Sequence, residues 1–220
     1  MRAPFAALLL ALAAFAQQPT SAPEHSSFLR RVASEAKARG ETKVVWSAIP
    51  LPTGISNLDQ ILAHYTIVVA ELVESRISEF GDQITTWYRF RVDEVLHEQP
   101  EIDDDNLPPG VPAGLQAPGK DEILIASHSG TVVIDGVTII QKSRYDVEFQ
   151  LSHKYLVFVL LTSGGKLGQL AAMDASVYSI NPDGTFEPLT KRPNRLVADV
   201  QAFAGNIFSQ FREAIRNRRP

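Results

Sequence analysis

Five histidines are the side chains best suited to acid–base or metal chemistry in this chain: His25, His64, His97, His128 and His153. A helical zinc pair needs two of them three to five residues apart, so that both imidazoles leave one face. No two have that spacing. His97-Glu98 begins like an H-E-x-x-H motif, but Gln99-Pro100-Glu101 follows, and proline forbids the helix on which the motif depends. The chain contains no cysteine, which removes disulfides, thiol nucleophiles and thiolate metal sites. The expectation is a protein without a bound metal or cofactor.

Serine chemistry fares little better. Ser127-His128-Ser129-Gly130 is the nearest approach to a G-x-S-x-G motif. Adjacent strand residues point to opposite faces, so Ser127 and His128 do not make a nucleophile–base pair. A triad built from separated residues, such as Ser129, His153 and an aspartate, stays open. Asp103, Asp104, Asp105 and Asn106 offer oxygen ligands, but without the alternating acids, glycine and distal glutamate of a calcium loop. They read as a solvated acidic loop, with weak calcium binding as the alternative. Gly164, Gly165, Lys166 and Gly168 lack the G-x-x-x-x-G-K order of a phosphate loop and read as a hairpin.

Trp87, Arg89 and Arg91 remain. They are alternate residues of ITTWYRFRVDEVL and share one face of a strand. An indole beside two guanidinium groups is the composition of a platform for sugars, peptides or acidic groups. These three are the candidate binding residues, and no residue is assigned a catalytic role.

The elements that must hold this platform read as strands. Over residues 84–96, Ile84, Thr86, Tyr88, Phe90 and Val92 face one way and Thr85, Trp87, Arg89, Arg91 and Asp93 the other. With YTIVVAELVES before it and EFGDQ as the turn, the pair makes a long hairpin. EILIAS is a further strand, and TVVIDGVTII folds back on itself around Asp135-Gly136, the dipeptide a type I′ turn prefers. YLVFVLL is apolar on both faces, as a central strand is. LAAMDASVYSI, the NPDG turn and TFEPL complete the sheet. Residues 99–119 carry five prolines and form a loop.

Helices flank this β region. Phe28, Leu29, Val32, Ala33 and Ala36 make an apolar stripe behind a serine cap, closed by Gly40. A prolyl connector follows. A capping box of Ser56 and Asp59 then starts a short helix running to about Ala63. At the C-terminus, Leu196, Val200, Phe203, Ile207, Phe211 and Ile215 predict one amphipathic helix capped by Asn194. Its arginines (Arg212, Arg216, Arg218, Arg219) crowd into the last turns, whereas a membrane-surface helix spreads them along its polar face. Docking on the barrel is the expectation.

Acidic residues outnumber basic ones 25 to 21, a net charge of −4. Because residues 191–220 hold 7 basic and 2 acidic residues, the rest of the chain is distinctly acidic. That argues against a nucleic-acid partner, since phosphate neutralisation needs a basic surface. Met1-Arg2 precede an apolar run ending Ala14-Phe15-Ala16, the layout of a secretory signal peptide. The run is shorter than the roughly 20 residues that span a bilayer. The reading is therefore an exported protein, periplasmic or extracellular, without stable membrane insertion once residues 1–16 are removed. Residues 17–57 form a helix and connector, 58–190 the β domain, and 191–220 the C-terminal helix.

The ordered set LDQILAHYTIVVAELVE, FRVDEVLHE, SGTVVIDGVTI and LSHKYLVFVL resembles a group of exported bacterial proteins. These have an oligonucleotide/oligosaccharide-binding (OB) type barrel, similar to the tissue-inhibitor-of-metalloproteinases and netrin modules. The resemblance implies a mainly β, α+β fold: a curved sheet or OB-type barrel with amphipathic helices at both ends. His153 stands where that pattern has glycine, which implies a turn residue in the left-handed region. The inhibitors chelate zinc through an N-terminal cysteine, and none exists here. The functional expectation is a non-catalytic binding or structural domain with a protein or carbohydrate partner in the cell envelope. The alternative is a hydrolase whose site assembles around His128 or His153.

Overall fold

The computed structural model describes residues 26–48, 57–99, 110–143, 147–162 and 166–218. The apolar leader, His25, Ser56, the acidic run at 103–106 and Gly164-Gly165 lie outside them.

Strand outweighs helix, and most strands belong to one strongly curved sheet. Its spine is the hairpin of β2 (Thr66–Phe80) and β3 (Gln83–His97), closed by a turn in which Gly81 takes φ 62°. Register shifts between Ile67 and Val68, Val69 and Ala70, and Leu72 and Glu74 bend β2, because a bulge adds local twist. β4 (Glu122–Ser127) pairs with β3, and β7 (Lys154–Thr162) pairs with the other edge of β2. The short β8 (Leu167–Leu170) runs parallel to β4 and antiparallel to the second half of β7. Pairing thus passes β7-β2-β3-β4-β8 and returns to β7. The first half of β7 pairs instead with β9 (Val177–Ile180), which carries β10 (Phe186–Pro188) at the edge.

Both faces of β7 and of the first half of β2 are buried, which is why these segments read as continuous apolar runs. Val68, Ala70, Leu72, Val157 and Val159 point inward with Phe90, Ile123, Ile125 and Tyr155. Ile67, Val69, Leu156 and Phe158 point outward, into a second cluster roofed by helices. The roof is α2 (Leu58–His64), α3 (Arg195–Ala204) and α4 (Phe208–Arg216), which contribute Ile61, Leu196, Val200, Phe211 and Ile215.

Two helical details differ from expectation. Asn57, one residue later than Ser56, caps α2 and accepts from Gln60 N at 2.9 Å. The C-terminal helix is two helices, because Gly205 ends α3 at φ 61° and lets the chain bridge back to the sheet. There Phe186 N donates to Asn206 O and Phe208 N to Gly184 O, both at 2.9 Å. A helical chain would hold those carbonyl and amide groups in its own ladder.

The remaining strands form a separate three-stranded sheet. β1 (Lys43–Ala48) runs parallel to β6 (Val137–Ser143), and β6 pairs antiparallel with β5 (Gly130–Ile134). The β5–β6 turn has φ 50° at Asp135 and 82° at Gly136, both positive as type I′ requires. The expectation placed this hairpin in the main sheet and read residues 46–55 as an extended connector. The structure instead makes Lys43–Ala48 a strand, paired with residues 95 positions away. Helix α1 (Ser27–Ala38), capped by Ser26 Oγ, which accepts from Leu29 N at 3.2 Å, lays Leu29, Ala33 and Ala36 on one face of this sheet.

Candidate binding surfaces

The face of β3 that carries Trp87, Arg89 and Arg91 is not an open platform. Trp87 is only 3% exposed and packs against Leu124 of β4 under Val111 and Leu115. Its Nε1 donates to Ser78 Oγ at 2.9 Å, and Ser78 Oγ donates to Gly110 O at 2.7 Å, which ties the covering segment to the hairpin. With the ring faces buried, the indole has nothing to stack on a ligand.

The guanidinium groups are engaged as well. Arg89 meets Glu74 at 2.5 Å and Glu122 at 3.9 Å, while Arg91 meets Glu71 at 2.6 Å and Asp93 at 3.6 Å. Lys154 closes on Asp93 at 2.6 Å. Sheet register explains this: Glu71, Arg91 and Glu122 stand in one row across β2, β3 and β4. Opposite charges directly across strands attract. Asp93 shares the face of Arg91 within ITTWYRFRVDEVL, but Glu71, Glu74 and Glu122 come from other strands, so periodicity within that segment does not disclose them.

The histidines also come apart. His128 is exposed, and its carbonyl accepts from Gln141 Nε2 at 2.8 Å. Ser127 Oγ and Ser129 Oγ share a hydrogen bond at 2.9 Å, in the row of Thr86 and Ile77, whereas His153 lies beside Leu72, so the register sets Ser129 and His153 apart. His153 stands at the entrance of β7, where its carbonyl accepts from Leu72 N at 3.2 Å. The left-handed residue of that turn is Ser152, with φ 58°, not His153. Tyr155 Oη accepts from Gln150 N at 2.7 Å across the same turn, and burial pushes this phenol up.

His153 Nε2 and Ser179 Oγ share a hydrogen bond at 2.6 Å. That is the distance of a nucleophile–base pair, and the serine is one the sequence reading did not single out. Among the described residues no carboxylate orients this imidazole, and Ser179 is held between β7 and β10. His97 Nε2 and Gln99 Nε2 both reach Leu62 O at 2.7 Å and fasten α2 to the end of β3. Among the described residues no three His, Asp or Glu side chains converge as a metal site would require.

Among the described residues, Ile77 and Phe80 near the tip of the β2–β3 hairpin meet solvent, as does the outer face of the three-stranded sheet. The inner side chains Val44, Trp46, Val132, Ile134, Val137 and Ile139 face α1. The outer ones are Lys43, Val45 and Ser47 on β1, Thr138, Ile140 and Lys142 on β6, and Thr131 and Val133 on β5. Register aligns them in rows, Lys43 with Thr138 and Val133, then Val45 with Ile140 and Thr131. None is buried; Val45 is 50% and Val133 60% exposed. The alternation K-V-V-W-S-A was the available signal for β1, with Val44 and Trp46 on one side and Lys43, Val45 and Ser47 on the other.

No protein-family model matches the chain, and no curated protein or solved structure matches it.

Proposed function

We propose that this chain is an exported, non-catalytic binding domain built on an OB-type barrel, and that the outer face of the three-stranded sheet holds a protein partner. Numbering the ring strands β2, β3, β4, β7 and β8 in chain order gives 1-2-3-5-4-1, with strands three and five parallel. That order supports the OB reading and the resemblance on which it began. Helices roof one side of the ring and the 110–115 segment covers Trp87, which leaves the attached sheet as the surface assigned to recognition.

The observation that carries the reading is the solvent-facing row of Val45 and Ile140 beside Val133, on a sheet face that no described helix covers. Exposed β-branched side chains grouped on one face are a contact surface waiting for a partner. Carbohydrate is the weaker choice for this face, because sugar stacking uses an exposed aromatic ring and its outward side chains include none. Full-length protein and a Val45→Asp/Val133→Asp variant should be compared in a pull-down from envelope extract. Retention of a protein by the first and its loss by the second, with matching circular dichroism, is the expected result. Equal retention by both moves the site elsewhere. Export is tested by N-terminal sequencing of the envelope form, expected to begin near Gln17.

A further inference from the structure

We propose that the partner of this face is an acidic protein surface, with carboxylates flanking a flat apolar strip. The inference rests on the binding reading above and specifies its chemistry. Strands β1, β5 and β6 contain two lysines and no acidic residue, in a chain where acidic residues outnumber basic ones 25 to 21. The nearest carboxylate in the hairpin is Asp135, in the turn beyond the first row.

The two lysines stand on opposite sides of the apolar row. Lys43 precedes Val45 by one row, and Lys142 follows Ile140 by one, so the Val45–Ile140 pair lies between two cations. Arg76, Arg89, Arg91, Lys154, Arg212 and Arg216, by contrast, all face carboxylates. Lys43 and Lys142 make no ion pair among the described residues. An unpaired cation on either side of an apolar strip selects its partner by sign. Complementary potential speeds encounter and rejects like-charged surfaces.

A second copy of this chain is disfavoured by the same charges. An isologous contact would oppose the face to itself and bring lysines toward lysines. A lipid surface is disfavoured by side-chain length, since short β-branched side chains reach little way into a bilayer. A sheet face with period-two alternation fits another sheet, where side chains from two layers interdigitate.

Site-specific photo-crosslinking tests this in the full chain, made in its own cells with benzoylphenylalanine at position 133. Leu151, equally exposed at 63% but away from this sheet, is the control position. Light should join position 133, not 151, to a protein of net negative charge. The yield should fall about tenfold in Lys43→Glu/Lys142→Glu and return in Lys43→Arg/Lys142→Arg. An adduct indifferent to charge reversal overturns the acidic partner and leaves the binding face standing. A lipid adduct, or an adduct of twice the chain mass, overturns the acidic protein in favour of a membrane or a second copy. No adduct at position 133 overturns both the inference and the reading beneath it.

Discussion

Gln141 closes both backbone groups of Ile84: its Oε1 accepts from Ile84 N at 2.9 Å, and its Nε2 donates to Ile84 O at 3.2 Å. The same side chain accepts from Trp46 Nε1 at 3.3 Å and donates to His128 O at 2.8 Å. Gln141 is 1% exposed, on β6 of the small sheet, while Ile84 is on β3 of the large one. A single amide therefore satisfies the backbone where the two sheets meet.

Gln141→Leu keeps the volume and removes the amide, leaving buried donors and acceptors unpaired. Each such group costs about 1–3 kcal/mol. The expected loss is on the order of 3 kcal/mol, read as a lower urea midpoint at unchanged slope. A loss below about 0.5 kcal/mol would mean that water replaces the amide.

Tyr178 Oη is buried among Phe158 and Phe186 without a hydrogen-bond partner among the described residues. Burial pushes this phenol well above its ordinary value of 10.0. A raised folded value means stability that is intact below the unfolded pKa and lost as pH rises toward the folded one. Stability should therefore fall above about pH 10. Tyr178→Phe should stabilise by on the order of 1 kcal/mol at neutral pH, because it deletes an unpaired group. It should also flatten part of the alkaline decline; Tyr65 and Tyr155, also raised by burial, retain the rest. A variant that melts earlier than the parent would show the hydroxyl to be satisfied.

Helix α4 meets the sheet in two ways whose weights differ. Glu94 receives Arg212 Nη2 at 2.8 Å and Arg216 Nη2 at 2.6 Å, on side chains that keep 42% and 51% of their exposure. Phe211 is fully buried against Phe158 and Phe186. Exposed ion pairs contribute about 0–1 kcal/mol, whereas truncating a buried Phe costs about 3–5. Glu94→Gln should thus shift thermal unfolding slightly and Phe211→Ala strongly. Removing everything from Leu196 onward should yield insoluble or partly unfolded protein. A soluble, cooperatively folded truncation would show that the helices are accessories.

Trp87→Ala should behave as a core mutation rather than as the loss of a ligand contact. The expected cost is about 3–5 kcal/mol in chemical unfolding. In a Trp46→Phe background the remaining emission should be blue-shifted and resist iodide quenching. Strong quenching in the folded state would place the indole in water.

Residues within a turn or two of each other left a clear imprint in the linear chain. The type I′ turn followed from Asp135-Gly136, the α3 cap from Asn194, and the period of two from 84–96, because each depends on neighbours within about four positions. The double-sided burial of β7 was also legible, since no side chain in YLVFVLL is fit for water.

Register, and everything that hangs on it, was settled only by the tertiary structure. Whether Arg89 and Arg91 meet solvent or glutamate depends on which residues of β2 and β4 stand opposite, and a slip of one residue turns every side chain to the other face. Trp87 disappeared under Leu115 because a loop 28 residues further on folds back across its strand. The lysine-flanked face exists because β1 found β6 across 95 residues, and no local pattern encodes a partner at that distance. Helix, turn and strand are local preferences of backbone and side chain. Which faces end up buried, paired or bare is a property of the folded contacts.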